Sequence, residues 1–533
     1  MSRPTKASDK RTSGLLATLA EWALLVCLFA AYAGCPPPDV NESHYLVKAK
    51  HFWNPQWCVR DLFLQSADVH LTFYVTVGWL TRWLSLEATA YVGRLLAWTV
   101  LAWGWLRWMR ALTSTRLLGL LAAAWFLVFS ECRMAGEWVV GGVEAKPFAY
   151  AFVFLGWAAW VTGNARSCWL YFGLATVFHT VIGVWSFVAA ILACFARRQE
   201  LPPLRSVLVW ILLGALLAAP TTWLAGRAVA TARSFAEARQ ADRILVYERL
   251  GHHLAFHQFA YGSIAKFVAL SAATVAVGRY LGRYDVRSTR QERLLQGTLW
   301  IAACGVLIDQ SLLWNLDLAA MLLKYYWYRL ADALVPAVAA AWIAVFYEHL
   351  VKRNALWGQR FLVVAMLVPT ICLSVSLTYA QRDVRPRAER HFDRTVEGKQ
   401  RAQRKYENWL RVCEFIRSET PADALFWTPH GQQTFKWHAQ RAEIVNWKDV
   451  PQDTAHVLEW KRRMEDLYPR DWPGLEVTAW SDEQIVEKLE RYGATYLVVE
   501  RGRMRRALGN RFRQVYPNVR HENRDFAVYQ LQP

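Results

Sequence analysis

Acidic side chains lie in two short polar segments, and each segment comes shortly after a long apolar stretch. In the first segment, Asp39-Val40-Asn41-Glu42, the acids Asp39 and Glu42 are three residues apart and would share one face of a helix. Such a carboxylate pair could bind a divalent cation or abstract a proton. It could equally cap a surface helix and support its first turn. The residue types alone are compatible with both interpretations.

The second segment, 137–147, brings two acids and a lysine around a pair of glycines. Glu137 and Glu144 flank Gly141-Gly142, where the backbone can turn or approach a ligand closely. Lys146 precedes a proline that can open the next helix. The tight turn between two acids favours a functional site, whereas an ordinary surface ion pair between Glu144 and Lys146 would contribute little.

Three further polar side chains need an explanation beyond membrane packing. His179 interrupts an apolar run, and a polar group at that depth is either a functional residue or a packed residue with a partner. Lys324 and Arg329 flank an aromatic stretch; they could hold a phosphate or extend to lipid headgroups. A histidine cluster within 252–257 offers two metal ligands at helical spacing, without an evident third.

The remainder of the first 380 residues is typical of a polytopic membrane protein. Hydrophobic residues make up 54% of the 533-residue chain and charged residues 20%. Apolar runs of about 18–22 residues recur, which is the length that crosses a bilayer core of ~30 Å. We expect an all-α polytopic membrane domain in 1–380. Its eleven predicted spans are 14–34, 88–106, 114–130, 147–163, a pair within 168–196, 205–226, 263–281, 294–312, 328–348 and 358–380.

Charge placement predicts the orientation of this domain. If 67–84 is a helix lying along the interface rather than a span, the basic clusters between spans fall on one side, which we expect to be cytoplasmic. The N-terminus is then cytoplasmic, and the C-terminal domain is extracytoplasmic. The predicted outer loops are 35–87, 131–146, 227–262 and 313–327.

The tail, residues 381–533, differs from the rest in composition. About a third of its residues are charged, against about a seventh of those before it. Short apolar runs alternate with helix-like stretches, which predicts a small soluble α/β domain. The net charge of +19 is explained by membrane loops and this tail, so we expect no nucleic-acid partner. The sequence shows no Walker loop, dinucleotide fingerprint or serine elbow, which disfavours a nucleotide-driven pump.

The layout resembles the GT-C superfamily of membrane glycosyltransferases, such as protein mannosyltransferases and lipid A aminoarabinose transferases. Those enzymes have an acidic first outer loop with membrane-lying helices, a second acidic outer loop and often an outer C-terminal domain. Here the first loop would be 39–42, the interfacial helix would begin near His70, Arg94 opens the second span, and the second acid would be Glu144 or Glu137.

Short sequence motifs show a second resemblance and two departures from the GT-C pattern. The stretches 41–46 and 136–146 resemble a group of uncharacterised planctomycete membrane proteins. In the first loop, however, the acids are not adjacent as GT-C enzymes commonly have them. The chain also lacks the His-Pro-Pro-Leu string common in the mannosyltransferases.

The resemblance implies transfer of a sugar from a polyprenyl-phosphate carrier to an acceptor on the outer face of the cytoplasmic (inner) membrane. Asp39 would be the base, and Glu42 and Glu144 would orient the acceptor or a divalent metal. That metal, Mg or Mn, would be held by Asp39 and Glu144. Lys324 and Arg329 would hold the departing phosphate. The predicted substrate-binding residues are His44, Glu137, Lys146, His179, Lys324 and Arg329.

Two other classes of function remain compatible with the sequence. A transporter or flippase for a lipid-linked or small polar substrate would use buried polar groups such as His179, Asp309 and Asp317, although we find no internal repeat. A non-catalytic membrane assembly protein would bind its partner through the tail, and its outer acids could be replaced freely.

Overall fold

Helices make up most of the structure, a computed structural model that describes residues 6–195, 204–390, 396–468 and 477–532. Within these ranges the α-helices are α1 (Lys6–Ala33), α2 (Glu42–Trp53), α3 (Leu62–Gln65), α4 (Leu71–Val75), α5 (Leu86–Leu112), α6 (Leu118–Phe129), α7 (Ala145–Val161), α8 (Ala165–Phe178), α9 (Thr180–Phe195), α10 (Leu204–Val229), α11 (Phe235–Arg243), α12 (Gly251–Leu254), α13 (Tyr261–Gly282), α14 (Val286–Ser311), α15 (Leu316–Leu323), α16 (Arg329–Arg353), α17 (Ala355–Gln381), α18 (Val396–Glu419), α19 (Phe435–Ala439), α20 (Thr454–Leu467) and α21 (Asp482–Tyr492). The strands are β1 (Leu425–Trp427), β2 (Ala442–Glu443), β3 (Tyr496–Glu500), β4 (Phe512–Tyr516) and β5 (Phe526–Leu531).

Each of the eleven predicted spans coincides with one of these helices. Among the described residues, five helices are long and apolar enough to cross a membrane; these segments lie in α1, α10, α13, α16 and α17. The other six are α5 to α9 and α14, of which α6, α7 and α9 are shorter apolar helices. The most apolar window of α16 is 78% buried, whereas that of α17 is 11% buried. Helix α16 therefore lies in the interior of the bundle, and α17 lies at its edge.

Helices α8 and α9 form a sharp antiparallel hairpin. Rings that are far apart in sequence meet across it: Trp169 and Phe187 lie 5.5 Å apart between centroids. A Cβ on Gly183 would lie 2.1 Å from Thr176 Oγ1, so the bend requires a glycine there. The single residue between the helices is His179. The stretch 168–196 is thus a pair of helices, each about 21–24 Å long and so shorter than a full bilayer core.

Residues 67–84 form two short helices rather than the one interfacial helix that we predicted. Helix α4 ends at Val75, and a 3₁₀ helix follows over Val77–Arg82. The β-branched run Val75-Thr76-Val77 disfavours continuous helix at this point. The segment then packs against α2, where a Cβ on Gly78 would lie 2.7 Å from the Cβ of Ala49.

The tail contains the expected small α/β unit. Its five-stranded sheet has the order β2-β1-β3-β5-β4, with β1 parallel to β2 and β3, and β5 antiparallel to β3 and β4. Alternate strand residues face opposite layers, as the strand period requires. Phe426 packs with Trp409 of α18, whereas Trp427 packs with Trp460 of α20. The edge strand β4 and the short helix α19 were not predicted from the sequence.

The tail packs directly onto the first predicted outer loop. Its apolar residues share one buried cluster with loop residues such as Phe63. Beside that cluster, the Lys436 ammonium is 3% exposed and lies within 3.2 Å of carboxylate oxygens of Asp61, Glu443 and Asp449. His44 Nδ1 lies 3.0 Å from Asp449 Oδ1. We call these residues the docking cluster; it joins the tail to the first loop through buried ion pairs.

Candidate functional site

A cavity of about 620 Å³ lies where the polar segments converge. Its lining comes from the first and second predicted outer loops, the α8–α9 bend, residues 241–254, residues 324–329 and the tail loop 448–454. All four segments predicted to face outside therefore contribute to one cavity. The predicted site residues that line it are His44, Glu137, Glu144, Lys146, His179, Lys324 and Arg329.

The second loop is held in place by an aspartate from the bundle. Asp332 of α16 accepts hydrogen bonds from the backbone N–H groups of Met134 and Ala135, both at 2.8 Å, and of Glu137 at 3.2 Å. Trp98 Nε1 donates to the carbonyl of Gly141 at 2.9 Å. Because backbone groups inside a protein need partners, these bonds fix the loop that carries Glu137 and Glu144.

Glu42 is fully occupied in holding the two loops together. Its side chain is buried (0% exposed), and it accepts from Arg94 Nε and Nη2, both at 2.6 Å. It also accepts from the backbone N–H groups of Val143 at 2.8 Å and Asp39 at 2.7 Å. A carboxylate has about four lone-pair sites, and here every contact is a donor. Glu42 therefore lies behind the cavity wall, as the central acceptor of the loop junction.

Asp39, the predicted base, also lies outside the cavity lining. It is 2% exposed and forms an ion pair at 3.3 Å with Arg387, just after the last membrane helix. A Cβ on Gly142 would lie 2.5 Å from the Cβ of Asp39, so the two loops are in direct contact here. The glycine pair thus allows loop–loop approach. Asn41 stands at the N-cap of α2 but makes no side-chain cap hydrogen bond.

Polar side chains form a continuous line of contacts along the cavity, which we call the polar chain. Its successive contacts are Lys448 Nζ to Asn41 Oδ1 (3.0 Å), Asn41 Nδ2 to Glu144 Oε2 (3.0 Å), Glu144 Oε1 to Lys146 Nζ (3.2 Å), Lys146 Nζ to Glu137 Oε2 (3.4 Å), Glu137 Oε2 to Arg329 Nε (3.2 Å) and Arg329 Nη1 to His179 Nε2 (3.1 Å). Glu144, Lys146 and Glu137 occupy the middle of this line, and a further cation lies at or next to each end.

Burial shifts the pKa values of two groups of the polar chain, Glu144 and Lys448. Glu144 is 1% exposed, and burial raises the pKa of its carboxyl, with Lys146 opposing the rise and Glu137 adding to it. Burial also lowers the pKa of Lys448 to about 8, with nearby Arg249 as the next cause. A glutamate with a raised pKa is a stronger base than an exposed glutamate.

Arg329 and His179 line the cavity at the α8–α9 bend and are hydrogen-bonded to each other. A guanidinium can only donate, so His179 Nε2 must accept from Arg329, and the proton of the neutral ring is then assigned to Nδ1. His179 is 7% exposed, and its Nδ1 is buried without a hydrogen-bond partner among the described residues. Thr180 and Val181, at the N-terminus of α9, line the same wall. A helix N-terminus and a free N–H together favour an anion.

Lys324 lines the cavity but already has an acidic partner. Its ammonium lies 3.0 and 2.8 Å from the two carboxylate oxygens of Asp242. Lys324 is 15% exposed and Asp242 10% exposed at the side chain, so the pair is largely buried. Lys324 is thus paired with Asp242 much as Arg329 is paired with Glu137; Arg329 differs in that it also contacts His179 at the α8–α9 bend.

Several lining residues could not be identified from the sequence. Tyr45 and His70 line the cavity and are bonded to each other at 3.0 Å. Arg249 and Lys448 also line it; a polar run after a predicted strand of the tail marks Lys448, and no sequence signal marks Arg249 within the predicted outer loop 227–262. The histidine cluster divides, since the first two histidines line the cavity and His257 pairs with Asp309 at 3.0 Å.

The described residues offer little for a divalent metal. They contain no group of three or more His, Cys, Asp or Glu side chains placed to hold one. Of the predicted pair, Glu144 faces Lys146 in the cavity, whereas Asp39 faces Arg387. The structure therefore does not bring Asp39 and Glu144 together around one ion, and this donor set does not fit a metal.

The chain is similar to known proteins in two limited ways. Residues 407–467 match a domain of unknown function (DUF6798), a stretch that runs from within α18 to the end of α20. Over 98% of both chains, the structure is similar to the crystal structure of ArnT from Cupriavidus metallidurans in the apo state, with a TM-score of 0.40 and 12% sequence identity. No curated protein matches the chain.

Proposed function

We propose that this membrane protein is a glycosyltransferase that moves a sugar from a polyprenyl-phosphate carrier to an acceptor hydroxyl. The observation that carries the proposal is the convergence, in one cavity beside the membrane helices, of a buried carboxylate and a group of anion-binding donors. Glu144 is the buried carboxylate, and Arg329 and His179 are the anion-binding donors. Sugar transfer from a phosphate carrier needs both, because one group must take a proton while another stabilises a leaving phosphate.

Glu144, rather than Asp39, is our proposed base. The acceptor oxygen forms a bond to the anomeric carbon, and its proton passes to the carboxylate of Glu144. The bond from the anomeric carbon to the carrier phosphate breaks, and its electron pair stays on the phosphate oxygen. Burial raises the pKa of Glu144, which makes it a stronger base than an exposed glutamate. Asp39 is held by Arg387 outside the cavity lining.

The leaving phosphate gains a negative charge in this step, and the α8–α9 bend is suited to receive it. Arg329 contributes a fixed positive charge, and its guanidinium also lies 3.7 Å from the centre of the Tyr326 ring. His179 Nδ1–H and the first N–H groups of α9 add neutral donors. Donors that are already positioned stabilise developing charge more than mobile water does.

The reaction is placed on the outer face of the cytoplasmic membrane, with the N-terminus inside and the tail outside. The basic clusters between spans support this orientation through the positive-inside rule. The four segments assigned to the outer side also line one cavity, as a common side requires. A transporter has less support, because Asp309 and Asp317 pair with His257 and Arg243 rather than lining that cavity.

The test is Glu144→Gln in the full chain, reconstituted in vesicles with a polyprenyl-phosphate-linked sugar and candidate hydroxyl acceptors. The amide can keep the hydrogen bond from Asn41 but cannot take the proton. We expect transfer per folded molecule to fall by about 10²–10⁴-fold, the usual contribution of a general base. Thermal stability should also fall, because Lys146 loses one of its two buried acidic partners and keeps only Glu137.

The matched control for this test is Glu131→Gln. Glu131 is an acid of the same predicted loop, and its side chain is 68% exposed. Normal transfer by a folded Glu144→Gln variant would remove Glu144 from the mechanism. Equal losses in both variants would indicate a general charge effect instead of a base.

A further inference from the structure

Two cations on the tail side of the cavity lack acidic partners. Lys448 donates to Asn41 Oδ1 at 3.0 Å, and Arg249 donates to the backbone carbonyls of Trp447 and Lys448 at 2.9 and 3.2 Å. Among the described residues, neither has a carboxylate within ion-pair distance, whereas the lining cations Lys146, Lys324 and Arg329 all do.

This arrangement is unfavourable unless an anion shares it. Burial lowers the pKa of both Lys448 and Arg249, and the positive charge of Arg249 lowers that of Lys448 further. A buried cation without a counter-charge is costly, and two such cations on one wall repel each other. An anion between them would relieve both effects.

This pair is separated from the donors at the α8–α9 bend. In the polar chain, Lys448 is at one end and Arg329 is next to the other end, with Glu144 and Glu137 between them. An anion bound midway would face those two carboxylates, which already share the ammonium of Lys146 between them. The two groups of cations are therefore better suited to two anions than to a single shared one.

We propose that the cavity binds two phosphate-type anions at once, with Lys448 and Arg249 forming the second subsite. The proposal rests on the proposed function for the first subsite, at Arg329 and His179. The second anion would be a phosphate on the acceptor, because the two phosphates of one diphosphate share a bridging oxygen and could not reach past Glu144 and Glu137. Because Lys448 belongs to the tail and Arg249 ends the π-helical turn Ile244–Arg249 that follows α11, docking of the tail completes this subsite.

The test measures binding of radiolabelled inorganic phosphate to the full chain, purified in neutral detergent. We expect two phosphates per wild-type chain and one in the double variant Lys448→Gln/Arg249→Gln. The single variant Lys448→Met should weaken the second phosphate by about tenfold, the loss of one charge-assisted hydrogen bond. Lys461→Gln is the control, since Lys461 is a nearby lysine paired with Glu248 and should leave both phosphates in place.

The two subsites can fail independently in this experiment. One phosphate per wild-type chain, or two in the folded double variant, would overturn the second subsite. The variant His179→Ala should lose the phosphate of the first subsite. If His179→Ala still binds two phosphates while the double variant binds one, the first subsite is wrongly assigned and the second subsite is supported.

Pyrophosphate then tests whether the two subsites are separate. We expect each bound pyrophosphate to displace a single phosphate. One pyrophosphate that displaces both phosphates would place the two groups of cations around a single anion and would overturn the second subsite.

Discussion

Replacing Glu42 by glutamine should unfold the loop junction rather than abolish chemistry directly. Four hydrogen bonds converge on this carboxylate, and all come from donors: two from Arg94 and one each from the backbone N–H groups of Val143 and Asp39. A glutamine amide has one acceptor and one donor end. Whichever way it turns, its NH₂ group faces an N–H, and the positive charge of Arg94 loses its counter-charge.

The size of the effect follows from burial. Arg94 is 1% exposed and Glu42 is 0% exposed, so water cannot replace the lost contact. Removing one partner of a buried ion pair costs about 3–5 kcal/mol of the free energy of unfolding. Replacing both by apolar residues, as in Glu42→Leu/Arg94→Met, should cost less, because no buried charge remains.

The assay compares thermal unfolding in detergent with transfer activity per folded molecule. We expect Glu42→Gln to melt well below the wild type, the double variant to recover part of the loss, and Glu131→Gln to match the wild type. The folded fraction of Glu42→Gln should retain transfer. If Glu42→Gln melts like the wild type but transfers no sugar, Glu42 takes part in the reaction and the structural role argued here is wrong.

Three further predictions concern the loop contact, the base and the tail. Gly142→Ala places a Cβ 2.5 Å from the Cβ of Asp39, and such overpacking should cost about 1–3 kcal/mol, measured as a lower melting temperature. Lys146→Gln removes the charge that most lowers the pKa of Glu144, so the acid limb of the pH–rate profile should move to higher pH. Burial raises the pKa of Glu443 to about 7 from an ordinary 4.5, so the folded state holds a proton that the unfolded state loses. Stability should therefore fall as pH rises from about 4.5 through 7, and Glu443→Gln should flatten this part of a melting-temperature series.

The helices and most strands could be predicted because each depends on a local pattern. Apolar runs of membrane length marked the eleven helices α1, α5 to α10, α13, α14, α16 and α17, and short apolar runs marked β1, β3 and β5. The predicted start of the interfacial helix near His70 is confirmed by α4, but its continuity over 67–84 was predicted incorrectly, because a β-branched run breaks the helix at Thr76. Strand β4 was not predicted, because its sequence, Phe512-Arg-Gln-Val-Tyr516, has too few apolar residues for a buried strand.

The roles of the site residues were harder to predict, because acidic residues of the same type have different partners in the folded structure. Asp39, Glu42 and Glu144 are all buried acids near helix ends. Which of them faces the cavity depends on arginines far along the chain: Arg94 is 52 residues from Glu42, and Arg387 is 348 residues from Asp39. A single sequence does not show such pairings, so it could propose the set of acids but not their separate roles.

Adjacent tail residues explain how the cavity can keep two cations without acidic partners. Lys448 faces the cavity, and Asp449 belongs to the docking cluster, where three carboxylates surround the single ammonium of Lys436. The excess negative charge of that cluster acts on its neighbours: Asp449 raises the pKa of Lys448 and of Arg249, against the effect of burial. The same contacts that attach the tail therefore stabilise the charged form of the second subsite. A tail that docked through apolar contacts alone would supply Lys448 but would leave it more easily deprotonated.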